Sequence, residues 1–213
     1  MMAETYVLQA LQRGFQQVQQ NPALLDDILS ALNANELAAA KGWFGNLNLT
    51  AANIANKNRL IIAPGFPAAP EQLPFIGVTV AEGGQIEGQT GIGLQYYTVS
   101  DDAGNVVNAR GARFNGSIKA TIFTPNADLI IWLSQVCLWA LLTQYDWFAS
   151  DDGGGMNEIV IRIGDYEPQP IFLPTYTFAR GVFLNAEFDI VFTTSATPIT
   201  SSIVSGSFET YQG

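Results

Sequence analysis

The stretch PTYTFARGVFLNAEFDIVFTT, Pro174 to Thr194, alternates almost without a break. Phe178, Val182, Leu184, Phe188, Ile190 and Phe192 fall on one parity; Asn185, Glu187, Asp189 and Thr193 fall on the other. Successive side chains of a strand point to opposite faces. The pattern therefore predicts one face in a core and one in water or against a partner. From Tyr176 to Thr194 such a strand runs roughly 60 Å at about 3.3 Å per residue, whereas ordinary strands end after about five or six residues. A strand longer than its own domain protrudes, and protruding β edges pair with neighbours.

A second long extended segment, VVNARGARFNGSIKATIFT (106–124), follows the turn cluster DDAGN (101–105), with bulges expected at Gly111 and Gly116. Shorter strands are expected at 75–83, 92–100 and 157–165. Before them, residues 4–20 place Val7, Leu8, Leu11, Phe15 and Val18 on one helical face. Asn21-Pro22 breaks that helix and starts a second one carrying Leu24, Leu25, Ile28, Leu29 and Leu32. A third helix is expected at 35–41, ending near Gly42, and the prolines of 43–74 predict mostly loop. Between the long strands, a helix capped by Thr124 or Asn126 runs to about Tyr145 and is apolar nearly all round, which calls for cover from more than one layer. Residues 150–155 form a loop, 166–174 an extended proline-pinned stretch, and the Ser/Thr-rich tail an edge strand or arm. The predicted fold is α+β: a mostly antiparallel β-sheet packed against one long buried helix, with N-terminal helices and long protruding strands. The N-terminal helical segment (1–42) and the α+β domain (43–213) are expected to form one compact unit.

Composition limits the chemistry. Charged residues make up only 13% of the chain against 48% hydrophobic, which fits either a surface covered by other chains or a well-buried β protein. Net charge is −10 and uneven, with two basic against ten acidic side chains in 120–213. Gripping phosphates needs clustered Lys and Arg, so tight nucleic-acid binding is not expected; acidic walls instead suit DNA that slides past without sticking. There is no histidine, which removes the commonest general base and metal ligand and every Ser-His or Cys-His pair. Cys137 lies in an apolar run and reads as a small buried hydrophobe. The N-terminus has no signal-peptide pattern, and the apolar run 129–145, flanked by Asp128 and Asp146, reads as a buried helix rather than a membrane span.

Each candidate for chemistry has a plainer reading. GQTGIG (88–93) precedes a strand, whereas a dinucleotide loop lies between strand and helix. SDDAGN and SDDGGG lack the alternating ligands and terminal glutamate of a calcium loop. Glu187 with Asp189, and Asp165 with Glu167, are carboxylates two apart on strands, where a solvent-facing parity puts charges anyway. Tyr96, Tyr97, Trp132, Trp139, Trp147 and Phe148 could stack on a glycan, as in a receptor-contact module of a tail fibre or baseplate, but read equally as core or interface. No catalytic residue, metal ligand or cofactor site is assigned. The positive features concern assembly: Arg110, Arg113 and Lys119 on one long strand, and Arg180, Glu187 and Asp189 on the other. Opposite charges on such strands can set register between subunits, or within an ordinary hairpin.

The order of elements carries a resemblance. An amphipathic helix is followed by NPALLDDIL, RLIIAPGFPAAPEQLPFIGVTVAEG, GLQYYTVS, a long strand and TPNADLIIWLSQVCLWALL; the close is IRIGDYEPQPIFLPTYTFARGVFLNAEFDIVF. Over about residues 1–30 and 60–195 this resembles tailed-bacteriophage neck and tail-completion proteins, particularly the tail-terminator type. The resemblance implies a non-enzymatic virion protein that forms a ring, commonly a hexamer, on the tail tube, stops tube growth and joins the head connector. It implies as partners further copies of the chain, the tail tube protein, and the sheath and connector or stopper proteins, with DNA passing through. An adjacent neck role, stopper or adaptor, is the neighbouring possibility. Residues 33–58, the loop 150–155 and the tail after Ser195 depart from the family pattern.

Overall fold

The computed structural model describes residues 3–49, 58–85, 95–100, 106–150, 152, 154–167, 173 and 176–193; for 82–85, 95–100, 106–113 and 189–193 it describes the backbone course alone. Helix α1 (Ala3–Gln20) forms where Val7, Leu11, Phe15 and Val18 recur at helical spacing, and it buries that face. Pro22 opens a single 3₁₀ turn (Pro22–Leu24) that runs into α2 (Leu25–Ile28), one turn long. The longer second helix expected from the sequence does not form. Asn33 is extended (φ −72°, ψ 164°), because its side chain accepts from the amides of Asn35 and Glu36 while Glu36 reaches back to its own N–H. That capping box starts α3 (Ala34–Gly45) instead. The helix runs past Gly42, its expected end, and Asn46 Nδ2 donates to the Gly42 carbonyl at 2.8 Å.

Six strands build one sheet: β1 (Ile61–Pro64), β2 (Phe75–Gln85), β3 (Gln95–Ser100), β4 (Val106–Thr124), β5 (Asn157–Glu167) and β6 (Phe178–Thr193). The order is β1-β2-β4-β6-β5, with β3 also paired to β4. Only β1 runs parallel to its neighbour, so the fold is α+β with a mixed, mostly antiparallel sheet. β1 lies inside the stretch expected to be loop; its four residues, ending at Pro64, are too short to announce a strand. The bulges expected at Gly111 and Gly116 are absent from β4, which pairs with β6 without a slip from Ala109↔Thr193 to Thr124↔Phe178. The register shifts lie in the partner strands, between Val80 and Glu82 of β2 and at two places in β5. Gly116 is buried opposite Ala186, a pairing of small residues rather than a kink.

Asn126 caps α4 (Ala127–Thr143), its Oδ1 accepting from the amides of Asp128 (2.7 Å) and Leu129 (3.1 Å). The helix packs beside α1 on one face of the sheet, α4 against β4, β5 and β6 and α1 against β1, β2 and β4. Their shared core holds Ile76 and Val78 of β2, Ile118, Ala120 and Ile122 of β4, Val182, Leu184 and Ala186 of β6, and Val7, Ala10, Leu11 and Phe15 of α1. Away from these contacts Ile131 is 38% and Leu142 51% exposed, so cover is less complete than the apolar sequence predicts. The helix stops at Thr143 and the chain turns at Gln144 into α5 (Tyr145–Ala149). Among the described residues no helix is long and apolar enough to cross a membrane. The opposite face of the sheet carries a smaller cluster of Leu73, Phe75, Phe123, Leu173 and Ala179. There Gly65 (φ +83°) folds its carbonyl over Gly77, where a methyl group would overlap it.

Candidate assembly surface on the long strand pair

β4 and β6 form the longest paired ribbon of the molecule, and the six charged residues singled out in the sequence all lie on it. Arg113 and Asp189 are register partners, directly opposite one another. Arg110 is paired with Phe192 on one side and Tyr96 of β3 on the other, and Glu187 with Asn115 and Asn157. Opposite charges thus occupy paired register positions on two strands of one chain.

Lys119 and Arg180 are committed within the chain. Lys119 Nζ lies 2.7 Å from Glu167 Oε2 on the face away from α4. Gly181 leaves the space for this pair: a methyl group there would stand 2.7 Å from Glu167 Oε1 and 2.8 Å from Lys119 Cε. Beside them the ring of Phe183 has Arg162 4.6 Å and Lys119 5.5 Å from its centroid. Arg180 projects to the helix side. Its Nε donates to the Gly164 carbonyl at 2.9 Å, its guanidinium lies 5.0 Å from the Tyr166 ring, and Nη1 reaches Ser134 Oγ of α4 at 3.5 Å. Within the subunit Arg180 spans the β5 irregularity between Ile163 and Tyr166 and ties β5 to β6.

GQTGIG and DDAGN lie outside the described residues. In the 150–155 loop, Gly155 N–H donates to the Ser150 carbonyl (2.9 Å) and Ser150 Oγ donates to the Trp147 carbonyl (2.7 Å), while Gly154 (φ +103°) packs on Tyr6. This is a turn that brings Met156 N–H onto the Phe148 carbonyl. Among the described residues no group of three or more His, Cys, Asp or Glu could hold a metal ion. Phe148 is fully buried, and half-buried Trp147 packs edge-on to Tyr6 with Arg13 4.4 Å above it. Trp132 and Trp139 pack against the core, and of Tyr96 and Tyr97 the register alone is described. Burial of Cys137 pushes its thiol pKa far above the ordinary range, which leaves it inert as a nucleophile.

Sequence reading missed Phe183, Gly181 and Arg162. Phe183 did carry a signal: it is an aromatic on the polar parity of β6, out of phase with the alternation around it. No protein-family model matches the chain, and no curated protein matches it at a significant level.

Proposed function

We propose that this chain is a non-enzymatic virion protein of the bacteriophage head–tail joint, a tail terminator that assembles as a ring, caps the tail tube and joins it to the head connector. The observation that carries the reading is a mismatch of lengths. β4 has 19 residues and β6 has 16, roughly 50–60 Å of strand, while the 17-residue α4 spans only about 25 Å. The core residues facing α4 run from Ile118 to Ile122 and from Val182 to Ala186, so about half of the ribbon extends past them. A subunit that builds a ribbon twice as long as its own helix layer has surface to give to neighbours. The acidic balance suits a lumen that DNA traverses without binding, and the sequence resemblance described above points the same way.

The test is assembly on the natural substrate. Purified chain added to tail tubes is expected to form a discrete ring at one tube end, visible by electron microscopy, and to halt tube elongation. Tubes that elongate unchanged and bear no added density speak against the terminator role; a ring that binds connector but not tube assigns the adjacent stopper or adaptor role.

A further inference from the structure

We infer that neighbouring copies pair through the two outer edges of the strand ribbon, β3 of one copy lying against the outer part of β6 of the next. The inference rests on the ring reading above and names the contact that builds the ring. Beyond the body of the sheet the ribbon is three-stranded. β3 (Gln95–Ser100) pairs with β4 over Val106–Gly111, and β6 pairs with β4 on its other side through Thr193. β5 leaves β6 after Glu187, its partner Asn157 being the first residue of β5. Among the described residues, Phe188–Thr193 of β6 has a strand on one side only, and so does Gln95–Ser100 of β3. Two backbone edges of six residues each thus flank one strand, facing opposite ways. Strand edges that lack a neighbour among the described residues are templates for another strand.

Geometry and charge both favour a second copy of this chain as the occupant. β3 and β6 each run antiparallel to β4, so they run in the same direction. With the strands lying along a common rotation axis, successive copies present β6 and the next β3 as a parallel pair of matched length. Such a head-to-tail contact closes into a ring when the rotation divides a full turn. The chain carries −10 overall, so contact between copies is opposed by repulsion over most of the surface. The ribbon is the exception. Residues 95–100, 106–113 and 188–193 hold two arginines and one aspartate, a net +1, and β3 contains no charged residue. Copies meet there without stacking carboxylates.

Hydrogen–deuterium exchange on the full-length chain, run beside light scattering over a range of concentrations, tests this without any substitution. On assembly, amides in both 95–100 and 188–193 are expected to slow by about tenfold or more, while those of 118–122 stay unchanged. Assembly with neither segment slowed overturns the edge pairing and leaves the ring reading standing. Slowing of 188–193 alone means two-fold pairing of β6 with itself and also overturns it. Slowing that appears only when tail tube protein is added assigns the edges to that partner, against the proposal. A chain that stays monomeric throughout, with and without tubes, removes both readings together.

Discussion

Gly14 of α1 lies so close to Ala140 of α4 that a methyl group on Gly14 would overlap the Ala140 Cβ. Gly14 lets the two helices pack closely against each other, side by side on the same face of the sheet. Gly14→Ala gains helix propensity but forces the crossing apart. It is expected to destabilise the chain by about 1–3 kcal/mol, measured by urea denaturation, since over-packing costs more than the propensity returns. A variant as stable as the parent shows that the crossing is looser than described.

The Asn126 cap fixes where α4 starts, and with it the phase at which Ile130, Leu133 and Cys137 enter the core. Asn126→Ala is expected to cost about 1 kcal/mol and Asn126→Asp close to nothing, because aspartate accepts the same two amide hydrogen bonds. Equal losses from both substitutions point to a role other than capping.

Arg180 is predicted to resist conservative replacement. Arg180→Lys keeps the charge but loses the planar stack on Tyr166 and the aimed hydrogen bond to the Gly164 carbonyl. A loss of about 1–2 kcal/mol is expected, with amide exchange accelerating first around 163–167 as β5 loosens from β6. The Lys119–Glu167 pair, about a quarter exposed at each end, is worth less: a double-mutant cycle with Lys119→Met and Glu167→Gln is expected to give a coupling of about 0.5–1 kcal/mol.

Cys137 makes stability pH-dependent on the alkaline side. Its thiol pKa is raised in the folded chain by desolvation, so the folded state holds the proton that the unfolded chain releases near pH 8.5. The unfolded state therefore binds fewer protons above that pH. Stability from this group is fully present below about pH 8.5 and declines as pH rises toward the folded-state value. Cys137→Ala, though less stable overall from the cavity it leaves, is expected to lack that part of the decline. Thiol reagents at pH 8 are expected to modify the parent only as fast as it unfolds.

How much of this was legible in the sequence depends on whether a local period carried the information. The parity of β6 announced a buried face in part: Val182 and Leu184 are buried and Phe188 half-buried, while Phe178, at the start of the strand, is exposed. The periodicity of α1 and the cap at Asn126 were equally readable, since each is fixed by residues within one or two turns. β1 was not: its pairing with β2 is parallel and non-local, and four residues carry no usable pattern. The second helix was over-extended because its leucines are helical in spacing, while the competing capping box of Asn33 and Glu36 cut it off. Among the site residues, charge on a strand was visible, but the partner was not. Lys119 finds Glu167 from 48 residues away, in a notch that exists because residue 181 is glycine. Arg180 sits on the apolar parity of its strand, beside Val182 and Leu184, and that position agrees with its internal role better than its charge did.

The central claim is that the ribbon of β4 and β6 serves other subunits. Its most direct measurement is the native mass of the purified full-length chain, by light scattering or native mass spectrometry, across concentration. One closed species is expected at a fixed small multiple of the 23.0 kDa chain, six copies if the ring is a hexamer, persisting at high salt because strand pairing and not surface charge holds it. A strict 23.0 kDa monomer at the highest concentration reached, in the presence of tail tubes as well as alone, contradicts it.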